Sequence, residues 1–217
     1  MRKLEYNNKV LSDAERMDFS KLADGLIKDH SECIDGMYQI ASELSTSDNN
    51  EFKSIMNTII TINIFLDYSF GDCVVLSKLF INAKNIYEKR FLRGKLKVQL
   101  NESFKTLYGF NTNAYQKSYC AKLQEIIPNF PGYANEFNQI ISDLEEISKQ
   151  DSWWKDIRDA EVHIDIDKLH ELRSEEINES KVAMESMQLI DFFNRIRKLV
   201  ANINQTYINY MWQHVRF

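Results

Sequence analysis

TIITINIFL, Thr58–Leu66, decides the fold class. It is rich in β-branched residues and is the one place in the chain where a strand could hide. Its neighbours on both sides carry helical spacing, so it reads as part of a buried helix running from about Phe52 to Phe65. No sustained alternating pattern occurs elsewhere. The chain has only six glycines and two prolines, which leaves little material for tight turns and hairpins. The expected fold is all-α, a bundle of long antiparallel helices.

Working outward from that run, Ser12 and Asp13 offer caps for a helix over 12–44. Met17, Leu22, Leu26, Ile34, Met37, Ile40 and Leu44 recur in it at helical spacing. STSDNN, 45–50, reads as a polar loop. Gly71-Asp72 is expected to interrupt the helix after Phe65, with a long helix following from about Cys73 to Leu107. Gly109 is placed to take the left-handed cap conformation after it. A short helix around 115–126 stops before Pro128, and another starts at Pro131 and runs to about Lys149. Asp151 and Ser152 cap the next one. The last helix covers about 178–212. Met184, Met187, Leu189, Phe192, Phe193, Ile196 and Leu199 crowd it, as core or as part of a dimer interface.

No repeat, low-complexity tract or linker divides the 217 residues, so one domain over 1–217 is expected. The apolar fraction of 44% is enough for a sizeable core. A net charge of -5 argues against a strongly basic nucleic-acid protein or a membrane-surface binder. The start, MRKLEYNNKV, lacks the apolar core of a signal peptide. IITINIFL is too short to span a bilayer. Cys33, Cys73 and Cys120 are far apart and form no CxxC pair, so reduced thiols and a cytoplasmic location are expected.

The chemistry concentrates in WWKDIRDAEVHIDIDKLHEL, Trp153–Leu172, which lies in the later half of the chain, roughly 73–217. It holds two of the four histidines. Arg158 is a fixed cation with a planar donor fork that suits phosphate oxygens. His163 gains and loses its proton near neutral pH. A cation that holds a phosphate and a histidine that moves a proton suffice to cut RNA without a metal. The 2'-hydroxyl attacks the adjacent phosphorus, a base takes its proton, and an acid protonates the leaving 5'-oxygen. Five residues turn an ideal helix by about 500°, which leaves the two side chains about 140° apart. They meet where the helix ends or kinks between them, or where two copies face each other.

The run R-D-A-E-V-H, Arg158–His163, resembles the arginine–polar–x–x–x–histidine motif of the HEPN superfamily. The resemblance implies a compact helical bundle that dimerises, with the two motifs forming one RNA-cutting cleft and no metal or other cofactor. By position, Arg158 would bind the scissile phosphate and His163 would be the acid and base. Asp159 would orient one of them. A nucleotidyltransferase-like antitoxin is the neutralising partner the resemblance implies, in a toxin or phage-defence setting.

Other readings of the same residues stand beside this one. Arg158 also suits ion pairs with Asp151, Asp156 or Glu161, and His163 a cap, in a non-catalytic helical binding or scaffold module. Trp153 and Trp154 read as packing anchors before base-stacking platforms. His163, Asp165, Asp167 and His170 supply metal-ligand types, but no HExxH or second half-site accompanies them. Carboxylates outnumber cations around the motif. The basic footprint is 84–97, where six cations oppose only Glu88. Arg90, Arg93 and Lys97 there share a face at i, i+3, i+7, and Tyr87 is placed to stack a base.

Overall fold

A computed structural model of the protein describes the backbone of residues 10–44, 50–150, 153–154 and 176–214, and side chains over 10–29, 53–150, 153–154 and 176–210. Among these residues every regular element is helical. The α-helices are α1 (Asp13–Leu44), α2 (Asn50–Asn82), α3 (Ile86–Leu107), α4 (Thr112–Tyr115), α5 (Tyr119–Ile126), α6 (Ala134–Lys149) and α7 (Glu179–His214). Two 3-10 turns, Ile127–Asn129 and Pro131–Tyr133, separate α5 from α6. The expected all-α class holds. The expected loop at 45–50 lies outside the described residues except for Asn50, which already begins α2.

Side-chain caps explain where the helices start. Ser12 Oγ accepts from the Glu15 N–H at 3.3 Å while the Glu15 carboxylate accepts from the Ser12 N–H at 2.7 Å. This reciprocal box satisfies two donors that the first turn of α1 leaves open. The bonds to Ser12 hold the Glu15 carboxyl below its ordinary value. Asn178 Oδ1 accepts from the Lys181 N–H at 2.9 Å and caps α7 with a single bond.

Thr58–Leu66 lies inside α2, as its neighbours require. The interruption expected at Gly71-Asp72 does not occur. A glycine in a helix interior costs about 1 kcal/mol relative to alanine, but Phe70, Cys73 and Val74 beside it are fully or almost fully buried. Their burial outweighs the local preference. The chain breaks instead at 83–85, where Asn85 Oδ1 accepts from the Glu88 N–H at 2.9 Å and caps α3.

The joined helix also corrects the expectation that no segment reaches membrane-spanning length. Lys53–Asn82 is long and apolar enough by length and composition alone, with a mean hydropathy of 1.6. Of its most apolar window, 61% is buried inside the protein, as in a core helix.

The helix expected around 115–126 is split. Asn111 caps the single turn α4, and Ser118 starts α5 afresh by accepting from the Ala121 N–H at 3.2 Å. Gly109 has φ +86, and a Cβ there would stand 2.7 Å from the Ala114 carbonyl carbon. Glycine is therefore required at this turn, as its position after the helix suggests.

The chain forms two compact units. The first comprises Met1–Asp29, Ser69–Phe104 and Gln150–Asp191. Its core is built on Phe19 of α1, Phe70, Phe80 and Ile81 of α2, Leu96 and Phe104 of α3, and Leu189 of α7. Met17 is 57% exposed, so the inward stripe of α1 starts at Phe19 and not at the methionine. The second comprises His30–Tyr68, Lys105–Lys149 and Phe192–Phe217. Met56, Ile59 and Leu66 of α2, Phe137 and Leu144 of α6, and Phe193 and Leu199 of α7 fill it. Of the apolar residues that crowd α7, all but Met184 are buried, so the chain's own cores use them.

Candidate functional site

Arg158, Asp159 and His163 lie outside the described residues, as do Asp165, Asp167 and His170. The structure fixes the approaches on either side of them, both in the first unit. On one side, Trp154 is buried and its ring lies 5.2 Å from that of Phe104. Asn101 of α3 donates to the Trp154 carbonyl at 3.4 Å. The Trp153 N–H is accepted by the Glu185 carboxylate at 3.0 Å. Trp154 is a packing anchor, as its residue type suggests, and Trp153 is half-buried. On the other side, Ile177 is buried and Asn178 caps α7.

One residue past that cap, the Glu179 carboxylate is held by three groups. Arg16 and Lys89 both pair with it, and the Leu11 N–H donates to it at 3.2 Å. Arg16 comes from the first turns of α1, Lys89 from the first turn of α3, and Glu179 opens α7. Arg16 also donates to the Leu11 carbonyl at 3.2 Å and to the Ile81 carbonyl near the end of α2. The Glu179 side chain is 4% exposed and each cation 17%. A carboxylate in the first turn of a helix also meets the positive end of the dipole. This cluster is internally satisfied and structural. The sequence signal for it was an acid in the first turn of α7; its partners lie 163 and 90 residues away.

The basic face of α3 is unevenly open. Tyr87 is 69% exposed, Arg90 and Arg93 are half-buried, and Lys97 is buried and engaged within the protein. Arg90 Nε is buried with no hydrogen-bond partner. The structure therefore brings Tyr87 and the 90–93–97 stripe onto one helix, but solvent reaches mainly the 87–91–95 side.

Other reactive groups among the described residues are muted. Burial pushes the Cys73 thiol up, partly offset by a hydrogen bond with Ser103, and burial does the same to Cys120. Neither is a ready nucleophile. Burial, then Cys120 and Tyr108, push the Tyr115 hydroxyl up to about 12. Described residues hold no cluster of three metal-ligating side chains.

In the second unit, a surface hollow of 460 Å³ is lined by Thr58, Thr61, Tyr119, Lys122 and Glu125, among others. Its two threonine hydroxyls donate to carbonyls of their own helix, and the Lys122 ammonium sits 4.8 Å from the centre of the Tyr119 ring. Deeper in that unit, Arg197 pairs with the buried Asp67 at 3.3 Å.

No family model, curated protein or solved structure matches this chain. The functional reading therefore rests on the residues themselves. What sequence reasoning missed is chiefly the Glu179 cluster and the open side of α3, where Phe91 and Lys95 stand beside Tyr87.

Proposed function

We propose that the chain is a metal-independent endoribonuclease of the HEPN type. It acts as a cytoplasmic homodimer with an antiparallel helical bundle and needs no cofactor. Arg158 holds the scissile phosphate and stabilises the charge that builds on it. His163 takes the proton of the 2'-hydroxyl and returns one to the leaving 5'-oxygen. Asp159 orients one of the two. The attacking oxygen forms a cyclic phosphate as the 5'-oxygen bond breaks, so no water is consumed in this step. Arg90 and Arg93 lend positive potential and Tyr87 a stacking surface to the approaching RNA, whereas Lys97, expected to share that role, is buried and drops out of it. A nucleotidyltransferase-like partner restrains the activity.

The observation that carries this reading is the Arg158-Asp159-x3-His163 run in a chain whose described regular elements are all helical, upstream of the long capped helix α7. The test is a comparison of two substrates with the same bases, one RNA and one fully 2'-O-methylated. The expected outcome is cleavage of the RNA alone, because the methylated strand lacks the nucleophile. Equal cutting of both would sink the mechanism.

One observation favours a second reading, a non-catalytic interaction module: an open apolar surface on α2 and α3.

A further inference from the structure

The hollow in the second unit, of 460 Å³, falls in the size range of small-molecule sites, about 300–1,000 Å³. Two helices line it. Ile55, Asn57, Thr58 and Thr61 come from α2, and Tyr119, Lys122, Glu125 and Ile126 come from α5. Ser118 caps the first turn of α5, and the Tyr119 ring packs against Phe65 of α2 at 4.6 Å. The wall that carries Lys122 and Glu125 is therefore set by packing and capping, with no ligand needed to form it.

The polar groups of the hollow divide into donors and acceptors. Lys122 and Glu125 are exposed and stand about one turn apart on α5. They form no ion pair with each other or with any other described residue. The Lys122 ammonium is held instead at the Tyr119 ring, 4.8 Å from its centre, and the Glu125 carboxylate has no side-chain partner among the described residues. Each threonine hydroxyl has one hydrogen and spends it on a carbonyl of its own helix. Thr58 donates to Ser54 at 3.1 Å and Thr61 to Asn57 at 2.7 Å. What the two threonines offer a ligand is lone pairs, and the Glu125 carboxylate also only accepts. The Lys122 ammonium only donates, and the exposed Asn57 amide has two N–H groups to give. One hollow thus combines acceptors around a negative charge, donors around a positive charge, and the aliphatic side chains of Ile55 and Ile126.

We propose that this hollow binds a free α-amino acid with an aliphatic side chain. The ligand carboxylate meets Lys122 and the Asn57 amide. Its ammonium meets Glu125 and the two threonine oxygens, and its side chain covers Ile55 and Ile126. Other ligands use less of the site. A phosphate gains Lys122 but faces Glu125 and two spent hydroxyls. A metal ion finds one carboxylate beside an ammonium, and the described residues hold no cluster of three ligands. A nucleobase finds the Tyr119 ring already engaged by Phe65 and Lys122. The site makes no use of Arg158 or His163, so its failure would leave the ribonuclease reading untouched.

The experiment is calorimetric titration of the full chain with leucine, N-acetylleucine and leucine methyl ester. The expected result is saturable binding of leucine, with each blocked form at least about 10-fold weaker, because each loses one charged contact. Lys122→Met and Glu125→Gln should each weaken leucine about 10-fold. Glu125→Gln should not weaken N-acetylleucine further, since that ligand lacks the ammonium the carboxylate would meet. Lys117→Met, at an exposed lysine outside the hollow, should leave leucine binding unchanged. The substituted side chains are on the surface, and unchanged thermal melts establish that each variant is folded. Four results would overturn the proposal. Leucine does not bind saturably. Both blocked forms bind as well as leucine, which means the charges are not read. Lys117→Met weakens leucine as much as Lys122→Met, which makes the effect one of net charge. Inorganic phosphate displaces leucine and needs Lys122, which makes the hollow an anion site.

Discussion

Replacing His163 with alanine is expected to slow RNA cleavage by about 10²- to 10⁴-fold, the usual contribution of a positioned acid or base. The reason is specific to the reaction proposed here. A 2'-hydroxyl is a poor nucleophile until its proton is taken, and the 5'-oxygen is a poor leaving group until it receives one. Alanine can do neither. The arginine and the geometry of the RNA would still favour attack, so a residual rate remains. The variant should also lose the pH dependence near neutrality that an imidazole confers. A purely structural histidine would behave differently: its removal would lower the folded fraction and leave the shape of the pH profile unchanged. Single-turnover rates across pH, with a thermal melt of each protein, separate these outcomes. A variant that is folded and cuts at the wild-type rate would remove His163 from the mechanism.

Replacing Glu179 with alanine is expected to destabilise the protein by about 3–5 kcal/mol, the cost of removing one member of a buried charge cluster. Arg16 and Lys89 would each remain mostly buried without their shared carboxylate, and the Leu11 N–H would lose its acceptor. Glu179→Gln retains an acceptor for Leu11 but not the charge, so it should recover only part of the loss. Lys89→Met should cost less than either, because Arg16 still neutralises Glu179 and the methionine preserves the packing. For a chain of this size each kcal/mol moves the midpoint by about 2–4 °C, so Glu179→Ala should melt roughly 10 °C lower. Urea unfolding of the three variants checks both size and order. A loss within experimental error for Glu179→Ala would show that the cluster is electrostatically idle.

Much of the all-α class was legible because the apolar periodicity is long and glycine and proline are scarce. Thr58–Leu66 was assigned correctly by its neighbours, against its own β-branched content. Gly71-Asp72 misled for the opposite reason. Local propensity argued for a break, but the buried side chains around it hold the helix together. The break at 83–85 was legible in principle, because Asn85 and Glu88 have the spacing of a helix start. Position 118 was harder, since nothing marks Ser118 as a cap until Ala121 is seen to donate to it. For the site, the residue types at Arg158 and His163 could be read directly, because their chemistry is intrinsic. The Glu179 cluster could not, because its members meet only through tertiary folding. Nor could the burial of Lys97. Its spacing from Arg90 and Arg93 is visible in the sequence, but the side of α3 that faces the core is set by Leu96, Leu100 and Phe104.

The most direct test of the ribonuclease account is incubation of the purified protein with RNA in excess chelator, followed by analysis of the new ends. The account predicts cleavage undiminished by the chelator, leaving 2',3'-cyclic phosphates on one side of each cut and 5'-hydroxyls on the other. Intact RNA, or cleavage that the chelator abolishes, would contradict it.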